Sequence, residues 1–333
     1  MAEDFLTPGT VTTREKVSER FGGGQGQGIQ PCRTTANVLL YSDPEKGNKS
    51  GYYDGWLSEP DERGPIFEYT GHGEGHQTFD GRDGTGNRAI LNHATDGRAL
   101  RLFVADGLAR DYPHLGVPRT STAKAQRYIG KFELDADLPY EVRIQPNKDG
   151  ILRRVIVFRL RPVEAITPEE KDQIPVAKKT EVLPVPASAT SSVLIEPEVS
   201  RRSISVRAPI GETSARRREA ELSAEFQAFL ERQEHQVKRF QIRIKGTTSN
   251  LITDLYDVDD RVLYEVKASP SRENVRMAIG QLKDYSRHIE PANPKLAVLL
   301  PREPNEDLKD LLSSVNISVV WKEGMSFVGW PVG

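Results

Sequence analysis

Residues 251–269 read LITDLYDVDDRVLYEVKAS, and the conformation of this stretch decides the class of the C-terminal half of the chain. Two runs rich in aliphatic, aromatic and β-branched residues flank an acidic turn at Asp259-Asp260, a pattern that predicts a hairpin or meander. Side chains alternate between faces along a strand. Glu265 and Lys267 therefore share one face and Val266 points to the other. On the preceding run Asp254 is the one acid in an apolar context, whereas Asp257, Asp259 and Asp260 sit at or beside the turn and read as solvated. Asp254, Glu265 and Lys267 are expected to meet on one face. Two carboxylates with open positions suit Mg2+, which prefers oxygen ligands. Such an ion acidifies a bound water and offsets charge developing on a phosphate. A neighbouring lysine can orient or deprotonate that water and stabilise the transition state.

Upstream, residues 216–236 (RRREAELSAEFQAFLERQEHQ) carry Leu222, Phe226, Phe229 and Leu230 at helical spacing, with Glu225 beside that stripe. The run QVKRFQIRI then reads as a strand. Downstream, RENVRMAIGQLKDYSRHI reads as a second helix, with Val275, Ile279, Leu282 and Ile289 on one side. KLAVLLP is a buried strand, NEDLKDLLSSV a helix and NISVVW a last strand. The expected C-terminal fold is an α/β mixed sheet flanked by helices.

Asp254 followed by Glu265-Val-Lys267 on consecutive strands, after an N-terminal helix, resembles the PD-(D/E)XK nuclease superfamily over roughly residues 216–322. Gln281-x-x-x-Tyr285 in the next helix is similar to the QxxxY motif of its RecB-like branch. The resemblance implies Asp254 and Glu265 as metal ligands and Lys267 as catalytic base or positioner. It further implies Gln281 as a supporting polar group and Glu225 as the helix acid that helps hold the metal, with Glu221 one turn earlier competing for that place. Thr253 stands where the family usually has proline.

Composition changes near residue 165. From 164 to about 214 the chain holds Pro168, Pro175, Pro184, Pro186, Pro197 and Pro209 among Ser, Thr and Ala, with no sustained period. Residues 166–215 read as a Pro/Ser-rich linker between a domain at 1–165 and one at 216–333. Within it VSRRSISVR reads as either a short strand or a basic arm. The first 163 residues offer the strand candidates NVLLYSD, IFEYTG, NRAILNH, LRLFVAD, RYIGKFEL, PYEVRIQ and ILRRVIVFRL, a pattern expected of a mainly β curved sheet or barrel. The glycine run at 22–28 lacks the Gly-Lys-Ser/Thr of a phosphate loop. His72 and His76, four apart in a loop, and His93, His114, His235 and His288 show no metal-ligand pattern.

The succession KSGYYDGW (49–56), IFEYTGHG (66–73), NRAIL (87–91) and RALRLF (98–103) resembles the SRA, or YDG, domain over about residues 20–165. That family reads modified cytosine in DNA by rotating the nucleotide into a pocket. Such a pocket needs aromatic plates and an acceptor for the cytosine N4 amino group. The resemblance implies Tyr53 (or its neighbour Tyr52) and Tyr69 as plates and Asp54 as the acceptor. Trp56 closes the pocket or packs in the core. Arg88 and Arg98 meet phosphates, as Arg101 does unless it lies on a strand face.

The remaining features bound the reading. A chain of 333 residues accommodates two domains. The single cysteine, Cys32, excludes a disulfide framework and a cysteine zinc site, which points to the reducing cytoplasm. The N-terminus has no apolar signal core and no run is apolar enough to span a membrane. Net charge of −2 argues that any DNA binding comes from local basic faces. The two resemblances together imply a modification-dependent restriction endonuclease. Its expected partner is double-stranded DNA carrying 5-methylcytosine or 5-hydroxymethylcytosine, its cofactor Mg2+, and its cutting form a homodimer.

Overall fold

The computed structural model describes residues 6–49, 52–59, 61–187 and 210–333. They fall into two compact units that divide between Pro175 and Val176. The stretch VSRRSISVR lies outside the described residues.

The N-terminal unit is built on nine strands: β1 (Val11–Thr12), β2 (Ile29–Pro31), β3 (Asn37–Ser42), β4 (Gly55–Trp56), β5 (Phe67–Thr70), β6 (Ala99–Leu108), β7 (Lys124–Leu134), β8 (Tyr140–Pro146) and β9 (Leu152–Pro162). The sheet runs β2-β3-β6-β7-β9-β5-β4, with β1 on β7 and β8 on β9. Its path ends at β2 and β4, so it is a mixed open sheet and not a closed barrel. Three helices join it: α1 (Arg14–Phe21), α2 (Pro44–Lys49) and α3 (Thr85–Leu91). Thr13 caps α1 through Lys16 N, and Gly22 ends it in the left-handed region. The aromatic core gathers Trp56, Phe67, Phe79, Phe132, Tyr140 and Phe158 around Leu, Ile and Val from the strands.

Two expectations fail here for visible reasons. NRAIL is not a strand but helix α3, which turns Asn87, Ile90 and Leu91 inward. A short apolar run has no period that separates the two states. The N-terminal unit also continues past residue 165. Trp56 bridges to Gln173, Ile174 N donates to Trp56 O (3.0 Å), and Asp172 grips Arg127. Gly55 is required at that contact. Its φ is +157°, and a Cβ there would lie 2.5 Å from Asp172 O.

The C-terminal unit is an eight-stranded sheet: β10 (Glu181–Pro186), β11 (Val237–Arg243), β12 (Leu251–Ile252), β13 (Leu255–Asp257), β14 (Val262–Val266), β15 (Lys295–Leu300), β16 (Ser318–Glu323) and β17 (Ser326–Val328). The order is β10-β11-β13-β14-β15-β16-β17, with β12 on β11. Strands β14, β15 and β16 are parallel, which requires the crossover helices α5 (Arg272–Ser286) and α6 (Glu306–Ser314). Helix α4 (Ile210–Arg232) packs Leu222, Phe226 and Leu230 against Leu255, Tyr264 and Val266 on one face. Helix α5 packs Val275, Ala278 and Leu282 against Leu263 and Val298 on the other.

Strand β10 occupies text that composition reads as linker. It pairs antiparallel with β11 from Glu181↔Arg243 to Pro186↔Lys238, at the edge of the sheet. Proline lacks a ladder donor and is tolerated at an edge, so Pro184 and Pro186 conceal a strand rather than exclude one.

Candidate functional site

The hairpin of β13 and β14 brings the predicted acids together by way of an irregularity. Gln241 pairs with Ile252 and Lys238 with Tyr256, so two residues of β11 face three, Thr253 to Leu255. This is a β-bulge, which re-aims a side chain. Thr253 anchors it: its N–H donates to Phe240 O (3.0 Å) and its Oγ1 accepts from Phe240 N (2.9 Å). Asp254 leaves the ladder, and its Oδ2 accepts the backbone N–H of Val266 at 2.7 Å.

Glu265 and Lys267 share a face as the alternation requires and are buried, at 3% and 5% exposure. Lys267 Nζ donates to Glu265 Oε1 (2.7 Å) and to Gln281 Oε1 on α5 (2.7 Å). Gln281 Nε2 in turn donates to Tyr285 OH (3.4 Å). Glu219 of α4 closes the group by accepting from Ala268 N (3.0 Å). Burial raises the pKa of Glu265, the field of Asp254 raises it further, and Lys267 opposes both. Burial raises Glu219 as well, with Ala268 N–H and Lys267 pulling it down and Asp254 pushing it up. Three carboxylates thus lie in one another's fields.

The structure does not bring Glu225 into this group. Glu225 is half-exposed and pairs with Lys322 (2.5 Å), and its rival Glu221 is a surface partner of Arg217 (2.8 Å). Glu219 was missed, although the spacing contains it. Glu219, Leu222, Phe226 and Leu230 follow the 3-4-4 repeat of one helix face, while Glu225 stands one residue off it. Arg239 on β11 was also missed. It donates to Ser223 Oγ of α4 at 3.3 Å and lies in the fields of Asp254 and Glu265.

Asp257 is not solvated. It is fully buried, its Oδ2 bonds His235 Nδ1 (2.8 Å), and its Oδ1 accepts from Asp259 N and Asp260 N. His235, Asp257 and Asp259 place ligand-type atoms within 4.8 Å of one another. These bonds to the chain account for the cluster as a closed turn.

In the N-terminal unit a cavity of about 260 Å3 opens between β3, β5 and the loop before β4. Tyr52, Asp54, Tyr69 and Thr70 line it, with Asp43, Lys46 and His72 among its other walls. Asp54 is held by Ser42 Oγ–H on Oδ2 (2.8 Å) and Thr70 N–H on Oδ1 (2.8 Å). Burial pushes its pKa up to about 6 against those two bonds. Tyr69 donates its hydroxyl to Gly28 O (3.1 Å). Tyr52 donates to Gly73 O (2.9 Å), and the Arg153 guanidinium lies 4.7 Å from its ring centroid while donating to its hydroxyl (3.3 Å).

Of the predicted pocket residues, Tyr53 does not line the cavity, whereas Tyr52 and Tyr69 do, together with Tyr41. Trp56 is a core residue, 1% exposed and packed edge-on against Phe67. Arg88 is used on its own loop, at Phe79 O, Gly81 O (2.9 Å) and Thr85. Arg98 donates to Cys32 O (2.8 Å) and Asn37 O (3.4 Å), and Arg101 is buried on Asn37 and Tyr128. These guanidiniums tie loops and strands of the unit together.

An open mixed sheet holding a polar cavity lined by tyrosines and an acid is the arrangement expected of an SRA domain. Residues 8–108 match the family model of the ScoMcrA-like SRA domain, so the N-terminal unit carries such a domain. Two solved structures are similar at 22% identity and a TM-score of 0.33. One is the Type IV phosphorothioation-dependent restriction endonuclease ScoMcrA, where the match covers 51% of this chain and 30% of that one. The other is the sulfur binding domain and SRA domain of ScoMcrA complexed with phosphorothioated DNA, at 51% and 43%. The matched region spans less than half of either. No curated protein matches this chain. Among the described residues no helix is long and apolar enough to cross a membrane.

Proposed function

We propose that this chain is a modification-dependent DNA endonuclease, in which the SRA domain reads a modified cytosine and the C-terminal unit hydrolyses a phosphodiester. The observation that carries the reading is the convergence of Glu219, Asp254, Glu265 and Lys267 at the bulged end of β13 and β14. The order α4, β11 to β14, α5, β15, with Gln281 on Lys267, supports a PD-(D/E)XK assignment.

The donor set fits a hard divalent cation. Its three carboxylates are oxygen donors that lie in one another's fields, Glu265 with its pKa raised by burial and by the others' charge. Among the described residues, however, the one group of three whose ligand-type atoms all lie within 4.8 Å of one another is His235, Asp257 and Asp259. Asp254, Glu265 and Glu219 would hold Mg2+ through oxygen. When bound, such an ion acidifies a water ligand and offsets charge developing on the phosphate. Lys267, its ammonium fixed by Glu265 and Gln281, orients the attacking water and then offsets negative charge on the non-bridging oxygens of the pentacoordinate transition state. Water adds to phosphorus and gives up a proton to the surrounding solvent, the bond from phosphorus to the 3′ oxygen breaks, that oxygen takes up a proton from solvent, and the products are a 5′-phosphate and a 3′-hydroxyl.

In the SRA cavity, Tyr52 and Tyr69 stack on a flipped base and Asp54 accepts its N4 amino group. This arrangement favours cytosine, with 5-methyl and 5-hydroxymethyl as the substituents to be read. One active site cuts one strand, so a double-strand break needs two chains, and a homodimer is the simplest form. DNA entering the cell would be met in the cytoplasm.

The test is one plasmid sequence in unmodified, 5-methylcytosine and 5-hydroxymethylcytosine forms, incubated with Mg2+ or with EDTA. The expected result is Mg2+-dependent cutting of a modified form only. Equal cutting of all three would retire the modified-base reading. Binding of a modified form with no cutting under any condition would retire the nuclease reading.

A further inference from the structure

Three buried arginines of this protein, Arg127, Arg143 and Arg161, are matched to carboxylates, while Arg101 and Arg153 spend their donors on neutral oxygens. Arg143 Nη1 and Nη2 clasp Glu68 at 2.7 and 2.6 Å, and Arg127 grips Asp172 (2.7 Å) and Glu169 (2.6 Å). This is what physical chemistry demands, since an unmatched buried charge is costly. Arg239 is half-buried and, among the described residues, has neither a carboxylate nor a full set of neutral partners. Its single hydrogen bond among the described residues is to the neutral Ser223 hydroxyl at 3.3 Å, its Nε is buried without a partner, and it forms no ion pair within 4 Å there. A guanidinium carries five N–H donors in a fixed fork, so most of its capacity is unspent.

Its position gives that capacity a use. Arg239 lies next to the bulge, on the strand segment between Lys238↔Tyr256 and Gln241↔Ile252, alongside Asp254. Strand alternation sets it on the α4 side with Ser223, opposite the face on which Phe240 and Ile242 join the α5 core. It reaches the acids from the side of the sheet opposite Lys267, which is bound to Gln281 of α5. A desolvated, forked cation beside a phosphodiester-cleaving centre matches a phosphate's two non-bridging oxygens.

We propose that Arg239 is the phosphate clamp of the C-terminal unit, holding the non-bridging oxygens of the scissile phosphate from the face opposite Lys267. The inference rests on the nuclease reading above and adds to it a DNA contact on a strand that carries none of the predicted motif residues. Ser223 is a positioning residue that fixes the plane of the guanidinium.

Two measurements on the full-length protein test this. The first is the salt dependence of binding to a modified duplex several helical turns long, in EDTA. One lost phosphate contact lowers the slope of log K against log[salt] by about 0.9. Arg239→Gln should show that drop, and Arg239→Lys, which keeps the charge, should restore the slope. The second is Mg2+-dependent cutting, where Arg239→Gln should lose about 10- to 100-fold in kcat/KM and Arg239→Lys should recover only part. An Arg239→Gln protein with wild-type slope and wild-type cutting overturns the proposal, as does an Arg239→Lys protein indistinguishable from Arg239→Gln in both. A wild-type protein that cuts nothing defeats the nuclease reading instead, and the salt slope then decides separately whether Arg239 meets DNA.

Discussion

Asp54→Asn should make the protein more stable and a worse reader. The carboxyl is half-buried in the cavity wall, and desolvation lifts its pKa from near 3.8 to about 6. At about 1.4 kcal/mol per pH unit, keeping it ionised above pH 6 costs the fold about 3 kcal/mol. The raised acid means that the folded state holds more protons than the unfolded state between those two values. Stability therefore declines as pH rises through that window. Asparagine removes the charge and keeps the bonds, with Oδ1 accepting from Thr70 N–H and Nδ2 donating to the rotatable Ser42 hydroxyl. Since the amide has its own burial cost, 3 kcal/mol is an upper bound. Each kcal/mol gained raises the melting temperature of a domain this size by about 2–4 °C. The same change weakens the acceptor offered to cytosine N4, and discrimination against the wrong base should fall by about 10- to 100-fold. The assays are thermal melts at about pH 7.5 and pH 5 and competition binding between a duplex carrying 5-methylcytosine and one carrying thymine in its place, which differ at the group that meets Asp54. The stabilisation should be full at about pH 7.5 and about half as large at about pH 5. A variant that is destabilised at pH 7.5, or that keeps full discrimination, refutes the reasoning.

The other predictions divide the two units. Glu219→Gln should lower kcat for Mg2+-dependent cutting by at least about 100-fold while Glu225→Gln stays near wild type, and the reverse ranking in a cutting assay would return the helix acid to the surface position. Lys267→Ala should abolish cutting and leave modified-DNA affinity within about twofold, as measured by fluorescence anisotropy. Arg153→Ala frees the ring and hydroxyl of Tyr52 and should weaken binding of modified DNA by about 0.5–2 kcal/mol; an unchanged Kd would show that the plate needs no brace. His235, whose pKa is raised by its bond to Asp257, contributes stability that is full below its unfolded value near 6.5 and lost as pH rises through the higher folded value. Melting temperature should therefore drop more steeply above neutral pH in wild type than in His235→Gln.

Much of the C-terminal unit was legible because its elements carry clean periods. The strand alternation of LYEVKAS alone puts Glu265 and Lys267 on one face, and the 3-4 spacing of Val275, Ala278 and Leu282 defines α5. Glu219 was legible in principle, but reading it needed the apolar stripe of α4 extended one turn toward the N-terminus, past the last apolar residue. Arg239 was not legible, because an alternating polar-apolar strand gives no sign of which arginine lacks a partner; that is a property of packing. The same holds for Arg88 and Arg98, whose targets are backbone carbonyls on loops that the sequence does not place. Tyr52 and Tyr53 are adjacent and chemically identical, so only the cavity wall separates them. Helix α3 and strand β10 were misread for opposite reasons: the first is too short and apolar to show a period, and the second is an edge strand, where prolines persist.

The bulge at Thr253–Leu255 makes the position of Asp254 depend on chain length rather than on residue identity. A hairpin with one residue fewer between Ile252 and Tyr256 would pair without interruption and carry every acid and the lysine unchanged. Asp254 would then be a rung of the ladder, pointed wherever regular alternation sends it, with no claim on the N–H of Val266. Point substitutions tune such a centre, whereas a three-base deletion in the gene would disconnect it in one step. A chain altered in that way would retain its fold class and the cavity of its N-terminal unit, with every one of these acids and the lysine still in place in its sequence.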